Sequence, residues 1–234
     1  MRFLSLLALM AIPLGALAST GQLKLLFLGN SHTAVNNLPE MVKSLARTSS
    51  QPIDFTYEVM GAGHLEDMAR TGMVFEKIRT GKFNVVVLQA AMVSMSHEND
   101  YSQEGAVAIA KAAVASGARV LMYPEWSRRD IEETEYTERI YRSIASVVKG
   151  KTAPVGRVWD EVLRHQRLEL WSPDGNHASL SGSFLAANVL YRWLVEDGKV
   201  VTTYRPEGVS RGEADLFQAV TVEVYRKMKL VEGP

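Results

Sequence analysis

Three side chains far apart in the sequence carry the types needed for nucleophilic chemistry: Ser31, Asp174 and His177. A serine hydroxyl is a weak nucleophile until an imidazole takes its proton, and the imidazole needs an acceptor that fixes its tautomer and orientation. The order Ser, Asp, His along the chain is one that builds such triads. The reaction they imply is acyl transfer to water through a covalent acyl-serine, with His177 as base and Asp174 behind it. Activity on that reading requires a neutral His177 ring and falls as the ring is protonated.

The elements that must bring these residues together are legible in the hydrophobic pattern. The run Leu23 to Leu28 predicts a buried strand that stops at Gly29 and presents Ser31 before a polar turn through Asn37. Further strands are expected at Ile53–Met60, ending in Gly61-Ala62-Gly63-His64; at Phe83–Leu88, followed by Gln89; and at Arg119–Tyr123, followed by Pro124-Glu125-Trp126. A short fifth strand is expected at Val155–Trp159, turning into a helix toward Gln166. Helical spacing appears at Leu38–Ser49, at Leu65–Lys82 with a break near Gly72, and at Ala106–Ala115. It recurs at Asp130–Lys149, with Ile131, Ile140, Tyr141, Ile144 and Val147 as inner positions, then at Ser179–Leu194 and Ala214–Leu230. Alternating strands and helices imply an α/β fold: three α/β/α layers around a flavodoxin-like, mostly parallel sheet of about five strands with right-handed crossovers. Function in such sheets gathers beyond the carboxyl ends of the strands. Ser31, Gly61, Gln89 and Trp126 each fall just after a predicted strand, and the 174–177 loop is expected at the same edge. The absence of a Gly-x-Ser-x-Gly elbow argues against an α/β-hydrolase fold.

Gly29-Asn30-Ser31-His32, the run Val85-Val86-Val87-Leu88-Gln89, and Asp174 through His177-Ala178-Ser179 with Gly182 stand in an order that resembles the SGNH (GDSL-type) hydrolase superfamily, from about Leu23 to Ala187. The resemblance implies an esterase that needs no metal or cofactor. Its oxyanion hole would be formed by the N–H groups of Ser31 and Gly61, with Gly63 the second choice for the glycine. Many members carry Gly-x-Asn-Asp where this chain has Gln89, whose carboxamide is expected to donate the third bond. His32, Gly63, His64 and Trp126 are candidate substrate contacts. Trp126, Trp159 and Trp171 either stack on a sugar ring or belong to the core. His97 and His165 are expected at the surface, and Asp130, Glu132 and Glu133 at a solvated helix start. No His-Glu-x-x-His spacing or Cys cluster suggests a metal. The alternative is an SGNH-like domain without catalysis that binds a glycan or a partner protein. A phosphate or nucleotide binder is the weaker reading, because the lone Gly29 is no glycine-rich cradle.

The chain has 234 residues, of which 47% are hydrophobic and 22% charged, a composition that supports an ordinary core. Arg2 precedes an uncharged apolar run from Phe3 to Leu17 ending in Ala16-Leu17-Ala18, which matches a secretory signal peptide cleaved after Ala18. Residues 19–234 would then form one domain, exported to the periplasm or secreted, with no stable membrane anchor after cleavage. Lys plus Arg and Asp plus Glu are 26 each, so no basic footprint points to nucleic acid. The chain has no cysteine, which excludes disulfides and thiolate chemistry. The expected partner is a small-molecule or carbohydrate ester, with acetyl among the short acyl groups.

Overall fold

The computed structural model describes residues 22–61, 63–195 and 201–232; the expected leader lies outside them. Strand β1 (Leu23–Leu28) is flanked by β2 (Phe55–Met60) and β3 (Val85–Leu88), and β3 is followed outward by β4 (Arg119–Met122) and β5 (Lys151–Thr152). Among the described residues the sheet has five strands in the order β2-β1-β3-β4-β5, and every pairing between them is parallel. The order reverses at β1, so the connections leaving β1 and β2 run to opposite sides and open a crevice at the carboxyl ends of β1 and β3.

Both faces of the sheet are covered, which is why its central strands are almost continuously apolar. Leu25 and Phe27 of β1, Val85 and Val87 of β3 and Leu121 of β4 enter one core. That core is shared with α2 (Leu38–Arg47), α7 (Val155–His165), α8 (Leu180–Leu194) and α9 (Arg211–Glu232). Leu26, Leu28, Val86, Leu88, Val120 and Met122 enter the other core. There they meet α3 (Leu65–Thr71), α4 (Met73–Gly81), α5 (Glu104–Ala115) and α6 (Thr134–Val147). A one-turn helix, α1 (Ser31–Ala34), opens the connection after β1. Residues 65–82 are two helices because Gly72 adopts φ 73°, a left-handed conformation that ends one and begins the next.

Four expectations are corrected. The fifth strand is Lys151–Thr152, and Val155–Trp159 is helical. Val155, Val158, Trp159 and Val162 repeat at 3.6-residue spacing behind Pro154, and that period overrides the β-branched composition. The helix expected from Asp130 begins at Thr134, which leaves Ile131 41% exposed before it and Val147 51% exposed at its end. Glu133 is no solvated helix start: it is 7% exposed, held by Arg128 at 2.7 Å and by His97 at 3.1 Å. His97 is accordingly half-buried rather than a free surface residue.

Candidate active site

Ser31 stands at the first position of α1, where Asn30 turns the chain and its side-chain oxygen accepts the His32 N–H at 3.0 Å. Serine therefore sits where a short apolar strand gives way to a helix start, exposed at the sheet edge. The turn is packed from below. A Cβ on Gly29 would lie 2.2 Å from Thr33 Oγ1 and 2.4 Å from Gln89 Oε1, so only glycine fits.

The loop bearing the other two residues is tied down on both sides. Ser172 N donates to His177 O at 2.7 Å, and Ser179, which caps α8 by accepting the Gly182 N–H, donates its own N–H to Leu170 O. From the loop after β4, Arg129 N donates to Gly175 O at 2.8 Å and Trp126 Nε1 donates to Asn176 O at 3.0 Å. Gly175 has φ 72°, the left-handed turn that brings Asp174 back beneath His177.

These constraints bring Ser31, His177 and Asp174 into one hydrogen-bonded line across 146 residues of sequence. His177 Nε2 lies 2.7 Å from Ser31 Oγ, and His177 Nδ1 lies 2.6 Å from Asp174 Oδ2. The other carboxylate oxygen accepts the N–H groups of Asn176 at 2.9 Å and His177 at 3.0 Å. The bond from the His177 ring, followed by those two backbone bonds, pushes the Asp174 carboxyl down to about 2. An ionised Asp174 favours the tautomer with a proton on Nδ1, which leaves Nε2 as the acceptor facing the serine hydroxyl.

His32 covers the His177 ring, with centroids 4.9 Å apart and planes at 23°, and its other neighbour is Trp126 at 5.3 Å. Burial lowers the His32 pKa, opposed by the charge of Glu125 and by bonds to Asn176 and aided by His177.

Gly61 packs directly on the Ser31 turn: a Cβ there would fall 1.6 Å from the Gly29 carbonyl oxygen. Among the described residues no hydrogen bond engages the N–H of Ser31 or of Gly61. Gly63 has φ 76° and lies against Asp67, and His64 starts α3 with its N–H donated to the Asp67 carboxylate at 3.3 Å. Both are exposed beside the site.

Two expected roles do not fit. Gln89 is 0% exposed, and both ends of its carboxamide are engaged. Its oxygen accepts the Asn30 N–H and the Thr33 hydroxyl, each at 2.8 Å, and its Nε2 donates to Glu125 Oε1 at 2.5 Å. A buried amide already bound beneath the nucleophile is not a donor into the cleft. Trp126 is 3% exposed and stacks on Trp159 at 4.5 Å and 9°, so it is core, as is the fully buried Trp159. Trp171 is half-buried, with its Nε1 donated to Ser127 O.

Sequence reasoning passed over Glu125, Arg129, Tyr141 and Asn176 as site residues. The available signal was position: Glu125 is a carboxylate just beyond a buried strand, at the edge where Ser31 and Gln89 also fall. Among the described residues no cluster of His, Cys, Asp and Glu suits a metal, and no helix is long and apolar enough to cross a membrane.

No protein-family model matches the sequence, and no curated protein sequence matches it. Solved structures do match. A candidate SGNH hydrolase from Slackia heliotrinireducens is 24% identical, with a TM-score of 0.57 over 74% of this chain and 98% of its own. A DUF4886 family protein from Bacteroides uniformis is 14% identical, with a TM-score of 0.59 over 88% of this chain and 95% of its own. A catalytic mutant of an acetylxylan esterase from Geobacillus stearothermophilus is 12% identical, with a TM-score of 0.58 over 76% of this chain and 97% of its own.

Proposed function

The chain has the three-layer fold of the SGNH hydrolases, and from that fold and the geometry at Ser31 we propose that it is a serine esterase. The observation that carries this reading is the unbroken line from Asp174 Oδ2 through His177 to Ser31 Oγ, at 2.6 Å and 2.7 Å. His177 Nε2 takes the Ser31 proton as Oγ attacks the ester carbonyl. The oxyanion is held by the N–H groups of Ser31 and Gly61, the first of them at a helix start where the local field is positive. The imidazolium returns its proton to the leaving alcohol. Water, activated by the same ring, then attacks the acyl-serine and frees the acid. Asp174 stays ionised throughout and stabilises the imidazolium.

A short acyl ester, acetyl on a carbohydrate included, is the substrate class we favour. Ser31 and Asp174 are exposed and His177 is half-buried at the rim of the sheet, where a bulky alcohol part can lie outside the protein. The solved neighbour from Geobacillus stearothermophilus is described as an acetylxylan esterase.

The test is hydrolysis of p-nitrophenyl esters from acetate to octanoate by the wild type and Ser31→Ala, with fluorophosphonate labelling read by mass spectrometry. Removal of the nucleophile is expected to cost at least ~10³-fold in kcat, with the label on Ser31 and the fastest turnover on acetate. A folded wild type that neither turns over nor takes the label would refute the esterase and leave the glycan- or protein-binding domain as the reading.

A further inference from the structure

Beneath the nucleophile lies a second hydrogen-bonded line, which uses a carboxylate that the triad does not touch. Glu125, half-buried after β4, accepts the Gln89 Nε2 bond with one oxygen and the Tyr141 hydroxyl at 2.7 Å with the other. Tyr141 comes from α6, is fully buried, and its hydroxyl also accepts the Ala91 N–H at 3.1 Å. Its acidity is pushed well below that of a free tyrosine by burial and by the Glu125 charge, so it stays a donor. Gln89 then passes the constraint to the Ser31 turn by accepting the Asn30 N–H and the Thr33 hydroxyl.

The direction of the Gln89 amide follows from chemistry. The Asn30 N–H can only donate, so the carboxamide oxygen must face it and the NH₂ must face an acceptor. Glu125 is that acceptor. A carboxamide rotates about a broad, nearly two-fold torsion, so without Glu125 the buried NH₂ has no acceptor and only the Asn30 and Thr33 bonds oppose a flip that would set NH₂ against N–H. A flip would release the turn whose Asn30 and Thr33 groups bracket Ser31.

We infer that Glu125 is a positioning residue for this active site: through Gln89 it holds the 30–33 turn, and with it the aim of the Ser31 hydroxyl and N–H. The inference rests on the esterase reading for its kinetic consequence, although the bracket itself does not depend on it.

The experiment compares wild type, Glu125→Ala, Glu125→Gln and Tyr141→Phe by p-nitrophenyl acetate kinetics and by NMR hydrogen exchange at the Asn30 amide. Glu125→Ala is expected to lower kcat about 10- to 100-fold with KM changed less than about 3-fold, the effect of losing one hydrogen bond to a charged group. Asn30 exchange should rise about 10-fold or more while the β1 and β3 amides keep their protection. Glu125→Gln retains an acceptor for Gln89 and should recover most of both losses. Tyr141→Phe should fall between wild type and Glu125→Ala. Unchanged kcat and Asn30 exchange in Glu125→Ala would overturn the inference. So would a uniform rise in exchange across the strands without rescue by Glu125→Gln, since that marks a general loss of stability. If the wild type proves inactive and unlabelled, the esterase reading fails, and Asn30 exchange alone decides whether Glu125 orders the turn.

Discussion

At the scale of single residues, the site separates two histidines of different duty. His177 faces the serine and the aspartate, and His32 lies over its ring against Trp126. Burial lowers the His32 pKa below the ordinary 6.5, with Glu125 and Asn176 opposing and His177 assisting. The unfolded chain therefore binds a proton at His32 first as pH falls through about 6.5, and folding stability declines from there toward the lower native value. In His32→Phe, which keeps an aromatic ring, that proton uptake is gone. The loss of melting temperature between pH 7.5 and pH 5 should be smaller in the variant than in the wild type. Equal losses would mean that the fold does not hold His32 neutral. In the proposed reaction, the same neutrality would keep a second positive ring from lying 4.9 Å from a His177 imidazolium.

At the scale of elements, the site is made where turns meet, and glycine permits the meeting. Gly61, after β2, touches the Gly29 carbonyl so closely that an added Cβ would sit 1.6 Å from it. Gly61→Ala must push the β2 turn away from the Ser31 turn. The expected result is a loss of ~1–3 kcal/mol in urea unfolding, as for other overpacked sites, and a fall in turnover on the order of 100-fold or more as one oxyanion donor moves. A variant that keeps wild-type turnover would remove Gly61 from the hole. Further along, the loops after β4 and before α8 are locked to each other by Arg129 and Trp126. That is why a loop carrying an aspartate and a histidine stays in register with a serine just beyond the first strand.

At the scale of the molecule, the five-stranded parallel sheet buries both faces in separate cores and leaves its carboxyl edge as the one place where Ser31, Gly61, Gln89, Glu125 and the 174–177 loop converge. We expect the chain to act after export, with residues 1–18 removed. Expressed with its own leader in a bacterial host, the soluble periplasmic fraction should yield a protein whose N-terminal peptide begins at Ser19, read by mass spectrometry. Recovery only in the cytoplasm with Met1 through Ala18 intact would rule that out.

Much of this was legible before any coordinates. Strand β1 matched its predicted span, Leu23–Leu28, because a parallel strand buried on both faces must be apolar throughout. The break at Gly72 and the start of α2 at Leu38 follow from local backbone chemistry. Ser31, Asp174 and His177 were nameable from residue type and order, since the reaction admits few alternatives. Only the first half of the helix Val155–His165 reads as a strand, at Val155–Trp159, because valine-rich composition there outweighs its period. Gln89 is the sharper case. Sequence places a carboxamide at the right strand end but cannot say which way it points. Its direction depends on an Asn30 N–H 59 residues earlier and a Glu125 carboxylate 36 residues later. Such pairings are set by strand order and packing, which no local pattern encodes. Sequence alone thus determined the alternation of elements and the candidate nucleophile, base and acid. Only the tertiary structure decided that Gln89, Glu125 and Tyr141 face inward to brace the nucleophile rather than outward to meet a substrate.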